Sequence, residues 1–334
     1  MEKSEIIEIL RSGDVQSLSR QANLIRETAC GRKVYFRGLI EFSNYCVRDC
    51  LYCGLRRSNR KLKRYRLTVE EIMACCRAIA ESGIKTVVLQ SGDDFGYQQA
   101  QLIDLINQIK TAYPDMAITL SLGERDREDY RLFREAGADR YLLKHETIQH
   151  SLYQEFHPGQ SLRYRLRILF YLKELGYQVG TGIIVGLPSQ TLEDLAEDLL
   201  FLQGFKPDMI GIGPFIPQKD TPLGRNPSPS LELVLKCLGL IRILTRDAHL
   251  PATTAVATLG GLEAQRKACE AGCNVIMINF TPPSHHQDYR VYDDKFRVDL
   301  RSAMEVVSAA GMIPSLERGD SLQLKEMDSA KGNI

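Results

Sequence analysis

The sequence lacks several features that would point to whole classes of protein. No apolar run reaches the roughly 20 residues that a helix needs to cross a bilayer, and the N-terminal residues lack the apolar core of a signal peptide. Basic and acidic residues number 43 and 42, so the net charge of +1 offers no broad basic face for nucleic acid. No low-complexity tract marks a linker. We therefore predict a cytoplasmic protein with no membrane and no nucleic-acid partner.

A second metal-binding motif is also missing. Of the nine cysteines, only Cys46, Cys50 and Cys53 have ligand spacing, C-x3-C-x2-C, and most others are expected to be buried small hydrophobes. No second C-x2-C or H-x3-H follows to complete the four-ligand site that zinc prefers. Thiolates bind a [4Fe–4S] cluster one per iron, so three cysteines leave one iron open to the amine and carboxylate of a small molecule. We predict one such cluster; structural thiols or part of a zinc site are the alternatives.

Strand-like and helix-like segments alternate from residue 34 onward, after two helical patterns within 4–30. The predicted strands are 34–42, 85–91, 116–122, 139–146, 178–186, 209–216, 251–256 and 274–280. The predicted helices are 69–82, 98–111, 126–136, 161–175, 191–203, 230–246, 260–271 and 299–311. This order predicts an α/β fold, a complete (β/α)8 TIM barrel over 34–315, with an N-terminal helical cap (1–33) and a C-terminal tail (316–334). An open doubly wound sheet is the alternative, but no G-x-G-x-x-G follows the first strand.

Alternation within the predicted strands places charged side chains inside the barrel. The more apolar face of each strand should pack against the surrounding helices. The opposite face, directed to the lumen, includes Glu41 in the first strand and Arg140, Lys144 and Glu146 in the fourth. Because buried unpaired charge is costly, we predict that the lumen holds a polar substrate with a carboxylate or similar anionic group. A structural network of charges paired among themselves is the alternative.

The cysteine motif, with Tyr52 before its last cysteine, resembles the signature of the radical S-adenosylmethionine (SAM) enzymes. Further stretches resemble the HydE group of radical SAM maturases, whose relatives are methylornithine synthase and, more distantly, biotin synthase. Those stretches are 40–44, 50–57, 62–66, 121–124, 139–146, 185–188, 211–217 and 274–277. The resemblance covers roughly residues 15–315 and implies a barrel that buries a small substrate.

The resemblance also implies a SAM pocket at the strand ends. Residues 89–94 are similar to the family's GGE motif, and 182–188 to a G-x-I-x-G-x-x-E motif in which Ser189 replaces the acid. The implied SAM contacts are Tyr52, Gln90, Ser91, Gly92, Asp93, Ser121, Glu146, Arg165 and Gly186. The implied substrate contacts are Thr119, Arg140, Lys144, Thr253 and Thr254. For Arg165, spacing alone favours a solvated helix residue as the alternative.

In function, the resemblance implies reductive cleavage of SAM to a 5′-deoxyadenosyl radical that acts on a small anionic or amino-acid-like substrate. The implied pathway is maturation of [FeFe]-hydrogenase. The implied cofactors are a [4Fe–4S] cluster and SAM, and the implied partners are an electron donor such as a ferredoxin or flavodoxin and other maturation proteins. A HydE-like enzyme of another pathway and an amino-acid mutase like methylornithine synthase are alternatives. From another class, the alternative is a non-catalytic Fe–S carrier or scaffold, which needs no SAM pocket.

Overall fold

The computed structural model describes residues 1–323, and residues 324–334 of the predicted tail lie outside this range. Its strands are β1 (Lys33–Ser43), β2 (Thr86–Ser91), β3 (Ala117–Ser121), β4 (Arg140–Leu142), β5 (Gln178–Val185), β6 (Met209–Pro214), β7 (Val275–Asn279) and β8 (Ile313–Ser315). Its helices are α1 (Lys3–Ser12), α2 (Val15–Cys30), α3 (Val69–Glu81), α4 (Gln99–Ala112), α5 (Arg127–Glu135), α6 (His150–Phe156), α7 (Leu162–Glu174), α8 (Leu192–Phe205), α9 (Leu231–Thr245), α10 (Thr254–Glu270) and α11 (Leu300–Ala309). Within this range no helix is both long and apolar enough to cross a membrane.

The strands form one parallel sheet in the order β6-β5-β4-β3-β2-β1-β7, and β8 pairs with the first residues of β1. Two single bridges join the ends of this order, Met209 with His249 and Pro251 with Val275. The predicted α/β class with a parallel sheet is therefore confirmed. The continuous ladder contains seven strands, so it is not the complete eight-stranded barrel that the sequence predicted.

The predicted seventh strand, 251–256, is wrong beyond its first residues. The Thr253 side chain accepts a hydrogen bond from the Val256 amide and caps a helix that begins at Thr254. Threonine favours strands as well as helix N-caps, and here the capping role wins. The first turns of α10 end at Gly260 and Gly261, whose backbone angles are not helical.

The sheet is buried on both faces, which is what a parallel sheet needs when helices cover its outside. Every residue of β5 and of β6 is buried. On β1, Phe36, Ile40 and Phe42 are fully buried in the main core beneath the helices. The lumen side of the same strand carries Leu39 and Glu41 into a cavity. The alternation predicted for the first strand is confirmed by these positions.

The two N-terminal helices cover the outside of α8 and α9, confirming the predicted helical segment at 4–30. Their buried residues are Ile6, Leu10, Leu18 and Ala22. Gly239 on α9 allows a close approach, because a Cβ there would lie 3.0 Å from a Leu18 side-chain carbon. The cap therefore packs as part of the main core rather than as a separate unit.

The residues after β8 pass beneath the sheet at the N-terminal ends of its strands. There the Arg140 guanidinium donates to the Arg318 carbonyl (2.8 Å), the Gly319 carbonyl (3.1 Å) and the Asp320 carboxylate (2.8 Å). His249 contacts the Asp320 carbonyl at 3.1 Å. This segment closes the lower end of the sheet and holds Arg140 in a fully buried position.

Candidate active site

The three cysteines lie on the loop that follows β1, with half-buried side chains. Hydrogen-bond donors face two of their sulfur atoms. The Arg48 amide lies 3.4 Å from the Cys46 Sγ atom, and the Gln160 Nε2 atom lies 3.2 Å from the Cys50 Sγ atom. Donors of this kind stabilise the thiolate form that a metal centre requires.

The chemistry of the three thiols fits a cluster rather than a free thiol function. Burial raises the pKa of the Cys46 thiol to about 11 and that of Cys50 to about 12, and it also raises the pKa of Cys53. Thiols in such surroundings become thiolates when a cationic iron centre binds them. Among residues 1–323, no three or more His, Cys, Asp or Glu side chains lie close enough together to hold a single metal ion. Thiolates that bind separate irons of one cluster need no such convergence.

Gly92 lets the loop after β2 pack directly against the cysteine loop. A Cβ at this position would lie 2.3 Å from the Tyr45 carbonyl oxygen and 2.6 Å from the Cys46 Cβ. The Val47 amide also donates to the Asp93 carbonyl at 3.0 Å. The predicted GGE-like segment is thus in contact with the backbone that carries the first cysteine.

A chain of ion pairs connects the cysteine loop to the next two strand ends and to α7. Arg48 donates to Asp93 at 2.6 Å and to Glu124 at 3.0 Å. Arg165 donates to the other oxygen of Glu124 at 2.6 Å, and also to Gln160 at 3.0 Å. Burial opposes the charged form of Arg165, but neighbours including Glu124 raise its pKa overall. The network fixes four loops around the thiols.

Arg165 is therefore not the solvated helix residue that spacing allowed, since only 8% of it is exposed. It also donates to the carbonyl of Lys144 at 2.7 Å, next to the cavity described below. Sequence reasoning missed Arg48, Glu124 and Gln160 as parts of this network. Two signals were available in the sequence. Arg48 lies between two cysteines of the motif, and Glu124 lies within the stretch 121–124 that resembles the HydE group.

Two residues in the loops after β4 and β5 have a left-handed backbone that a residue other than glycine seldom adopts. Glu146 has a φ of 67° and Ser189 a φ of 64°. Such conformations cost of order 1–3 kcal/mol each and cluster at functional sites. The Glu146 amide donates to the Gly182 carbonyl at 2.9 Å, so hydrogen bonds to β5 hold the strained residue in place. Gly186, with a φ of 85°, makes the turn before Ser189.

A cavity of about 290 Å³ lies inside the sheet at the C-terminal ends of its strands. Residues on its wall include Leu39, Glu41, Tyr52, Gln90, Lys144, Glu146, Thr253, Thr254, Tyr289 and Lys295. It extends from Tyr52 on the cysteine loop to the two threonines at the start of α10. Tyr52 is fixed by His157, whose Nε2 atom lies 2.9 Å from its hydroxyl.

The charges on the cavity wall are paired with one another, as in the alternative that the sequence left open beside a bound anion. The Lys144 ammonium lies 2.8 Å from a Glu146 carboxylate oxygen. On the other side, Lys295 forms an ion pair with Glu41, whose second oxygen accepts from Asn279 at 3.0 Å. Lys295 belongs to the long loop between β7 and α11, and sequence reasoning gave no signal for it.

Four further predicted site residues lie away from the wall of this cavity. Ser91 donates its hydroxyl hydrogen to the Gly92 carbonyl at 2.7 Å, and Ser121 ends β3 half-buried. Thr119 is 1% exposed, does not line the cavity, and its hydroxyl has no partner within the described residues. Arg140, predicted to contact substrate, is bound instead by the segment beneath the sheet.

Comparisons with known proteins identify the family. Residues 40–202 match the radical SAM superfamily. The [FeFe] hydrogenase maturase subunit HydE of Thermotoga maritima is 46% identical over 94% of this chain and 89% of its own. The 3-methylornithine synthase of Methanosarcina acetivorans is 27% identical over 90% of this chain and 86% of its own. The crystal structure of methylornithine synthase superposes with a TM-score of 0.85, 27% identity and 94% coverage of both chains. This chain therefore belongs to the radical SAM superfamily, in the family that includes HydE.

Proposed function

We propose that the protein is a HydE-type maturase that cleaves SAM and uses the resulting radical on a small anionic or amino-acid-like substrate inside the barrel. The observation that carries this proposal is the shared cavity, which places Tyr52 of the cysteine loop and the Lys144–Glu146 ion pair on one continuous wall. In this proposal, SAM and the substrate occupy two ends of one continuous cavity. Identity of 46% to a hydrogenase maturase subunit supports the choice of a maturase among the radical SAM activities.

The chain's own residues have distinct roles in this proposal. A reduced [4Fe–4S] cluster supplies the one electron that splits SAM into methionine and a 5′-deoxyadenosyl radical. Cys46, Cys50 and Cys53 hold the cluster, while Glu146 and Arg165 position SAM at the strand ends. Arg165 serves through its bonds to Glu124 and to the Lys144 carbonyl.

The other proposed SAM contacts come from the loops around the cysteines and from the strand ends. They are Tyr52, Gln90, Ser91, Gly92, Asp93, Ser121 and Gly186. We propose Lys144, Thr253 and Thr254 as the substrate contacts, because they line the same cavity as Tyr52 of the cysteine loop. Thr119 remains a candidate substrate contact, because its hydroxyl has no hydrogen-bond partner among the described residues. Arg140 is left out of the site, because it is hydrogen-bonded to the segment beneath the sheet.

A closed wall would protect the radical from water, because exclusion of solvent prevents side reactions. We propose that the bridges at His249 and Pro251 complete the barrel in place of a full seventh strand. The bridge of His249 to Met209 in β6 and that of Pro251 to Val275 in β7 support this. The loop residues Tyr289, Val291, Tyr292 and Lys295 cover the cavity from above.

The proposal requires an external one-electron donor, such as a ferredoxin or flavodoxin, and companion maturation proteins to receive the product. It places the enzyme in the cytoplasm, where thiols stay reduced. All nine cysteines are free, which supports that compartment.

The test is anaerobic reconstitution with iron and sulfide, followed by SAM and dithionite. We expect formation of 5′-deoxyadenosine and methionine, and activation of apo-hydrogenase in a mixture of maturation proteins that lacks only HydE. The Cys50→Ala variant is the matched control and should do neither. Absence of 5′-deoxyadenosine from the reconstituted wild type would leave a non-catalytic Fe–S carrier as the better assignment.

A second candidate, an amino-acid mutase, is favoured by one observation. The cavity wall carries two separate ion pairs, Lys144–Glu146 and Glu41–Lys295, which suit the ammonium and carboxylate of an amino acid. The superposition on methylornithine synthase adds weight to it. Formation of 3-methylornithine from an isomeric amino acid by the reconstituted enzyme, without hydrogenase activation, would decide for this candidate.

A further inference from the structure

A short run of basic residues follows the last cysteine of the loop, although the net charge of the whole chain is close to zero. Seven of the eleven residues from Arg56 to Arg66 are Lys or Arg, and no acidic residue occurs between Asp49 and Glu70. With a net charge of only +1 for the whole chain, this concentration is local. Local charge of one sign governs which partners approach a surface, and from which side.

Three of the seven basic side chains are held by contacts within the protein. Arg56 pairs with Asp49 at 2.9 Å, and Arg66 pairs with Asp94 at 2.7 Å. Arg64 donates to the Leu55 carbonyl at 2.9 Å, within the turn that follows the last cysteine. These side chains fasten the run to the cysteine loop and the loop after β2.

The other four basic residues, Arg57, Arg60, Lys61 and Lys63, are exposed, and we call them the basic face. Lys61 lies 2.8 Å from Asp220 and Lys63 lies 3.7 Å from Asp288, but their side chains are 78% and 76% exposed. Ion pairs as exposed as these contribute little and exchange readily.

Arg57 and Arg60 form no ion pair with any of residues 1–323. The basic face therefore keeps a positive surplus toward solvent.

The basic face borders the outer side of the cysteine loop. The Arg57 amide donates to the Arg48 carbonyl at 2.8 Å, so Arg57 is held directly against the segment between Cys46 and Cys50. Val47, next to the first ligand, is 43% exposed, although large apolar side chains are mostly buried in this fold. An exposed apolar residue beside unpaired cations resembles the centre and rim of a transient protein interface.

We propose that the basic face and Val47 form the docking surface for an acidic one-electron carrier protein of the ferredoxin kind. The inference rests on the proposed function, because each SAM cleavage consumes one electron that the chain itself cannot supply. The carrier loses one electron and the cluster gains it, and no other group changes oxidation state. Docking here brings the carrier against the segment between Cys46 and Cys50.

The position of the surface favours a redox protein over a nucleic acid. A nucleic-acid partner needs a basic stripe long enough to neutralise several phosphates, and the chain as a whole has no such charge. A carrier that delivers single electrons needs fast arrival and departure, which opposite charges on two exposed rims provide. Only the redox role also explains why the surface borders the cysteine loop.

The test compares the reconstituted holoenzyme with its R57E/R60E variant, using a reduced acidic ferredoxin as the probe. Neither arginine forms an ion pair with a residue that the structure describes, so the fold should be retained. We expect the dissociation constant for ferredoxin, measured by calorimetry at low ionic strength, to rise at least about tenfold. Reduction of the cluster by ferredoxin, followed by stopped-flow absorbance, should slow by a similar factor. SAM cleavage with dithionite should be unchanged, because dithionite is small and needs no docking.

The R20E/K85E variant is the matched control, since it makes the same charge change on α2 and before β2, away from the cysteine loop. It should bind ferredoxin within twofold of wild type, and wild-type affinity should fall as salt is added. Equal losses in both double variants, or no loss in R57E/R60E, would overturn the proposal. Loss of binding to a single-stranded oligonucleotide with ferredoxin binding intact would assign the face to nucleic acid instead. Wild-type protein that binds ferredoxin yet forms no 5′-deoxyadenosine with dithionite would contradict the proposed function alone.

Discussion

At the scale of single residues, Gly92 shows how one missing side chain sets the position of the thiols. The atoms that a Cβ would meet belong to the backbone of Tyr45 and to Cys46, neither of which is the flexible end of a long side chain. A larger residue must therefore displace the cysteine loop. Glycine is needed here for close approach rather than for an unusual backbone angle.

We predict that Gly92→Ala lowers the iron bound after reconstitution to less than half of the wild-type value, because the first ligand moves. Gly204→Ala is the control, since no atom of residues 1–323, apart from the adjoining helix itself, lies within 4 Å of a Cβ built at Gly204 in α8. That change should leave iron content unaffected and stabilise the helix by roughly 1 kcal/mol. Colorimetric iron analysis and circular dichroism distinguish a shifted loop from an unfolded chain. Full iron loading of Gly92→Ala would contradict the assignment.

A second residue-scale prediction concerns Arg165, which combines burial with three hydrogen-bonded partners. Arg165→Met leaves the Lys144 carbonyl without its donor and Glu124 with one arginine instead of two. Breaking a buried pair of this kind costs about 3 kcal/mol. We expect the urea midpoint of unfolding, followed by circular dichroism, to fall and the dissociation constant for SAM to rise at least about tenfold.

The control for this variant lies two residues earlier on the same helix. Arg163 is exposed, so Arg163→Met should change neither quantity measurably. Arg165→Lys should restore part of the stability, because it keeps the charge but not the planar fork that reaches three acceptors. Unaltered SAM binding in Arg165→Met would reduce Arg165 to a purely structural role.

At the scale of elements, the cysteine loop predicts the metal content of the protein. Cys46, Cys50 and Cys53 share one loop, and the other six cysteines lie outside it, on α2, α3, α9 and α10 and in the turn after α10. We expect about four irons per chain after anaerobic reconstitution, as one [4Fe–4S] cluster requires. Alanine at any of the three should abolish SAM cleavage and leave the circular dichroism spectrum unchanged, whereas Cys30→Ala should retain both iron and activity. About eight irons per chain would indicate a second cluster.

The elements themselves were largely predictable because their periodicity is strong. Seven of the eight predicted strands and the predicted helices occur within a few residues of their expected positions. The seventh strand failed at Thr253, which caps a helix, and the short α6 and β8 carry too few residues to show a period. A three-residue strand such as β8 is fixed by its neighbours and not by its own sequence.

The sequence predicted which residue types form the site, but it predicted less well how far along each strand a side chain lies. A period of two tells which face a residue occupies, and both Arg140 and Lys144 do point inward. It does not tell the height, and four residues of strand separate the two by roughly 13 Å. Lys144 therefore reaches the cavity, whereas Arg140 reaches the segment beneath the sheet. Only the tertiary fold brings Lys295 to Glu41.

The segment beneath the sheet yields a prediction about pH. Asp320 accepts from Arg318, Gln178 and Arg140, and although burial opposes its charged form, these partners lower its pKa below the usual value. Its contribution to stability is therefore present above the unfolded pKa of about 3.9 and is lost as pH falls below that value. Asp320→Asn leaves Arg140 without its carboxylate and should cost about 1–3 kcal/mol at neutral pH.

Urea unfolding at pH 7 and pH 3 measures both parts of this prediction. The difference in stability between wild type and Asp320→Asn should shrink at pH 3, because the Asp320 carboxyl of the unfolded wild type is then largely protonated and must lose its proton on folding. Asp115→Asn is an exposed control from the same end of the sheet. A gap that stays constant between the two pH values would mean that the charge of Asp320 is not what holds Arg140.

At the scale of the whole molecule, the cavity joins parts of the chain that are far apart in sequence. Glu41 comes from the first strand and Lys295 from the loop before the last helix, yet their ion pair forms one wall. Lys295 also lies over the Tyr289 ring, 4.7 Å from its centroid. The loop that carries both residues is thereby fastened across the mouth of the sheet. The pair Lys144–Glu146 forms on the opposite side, beside the proposed SAM contacts.

Both lysines line the cavity, but only Lys144 is paired with a proposed SAM contact, so substitution of each should have a different effect. Lys295→Met removes a charge from the substrate end only, so substrate turnover should fall at least about tenfold, the loss of one charged interaction of roughly 1.4 kcal/mol or more. Uncoupled formation of 5′-deoxyadenosine in the absence of substrate should stay within twofold of wild type. Lys144→Met should lower both rates, because Glu146 then keeps its charge without a partner beside SAM. Chromatographic measurement of 5′-deoxyadenosine with and without substrate gives both rates. Equal effects of Lys295→Met on the two rates would assign the Glu41–Lys295 pair to the cofactor site or to the fold, and the substrate would then be bound by Lys144 and the two threonines alone.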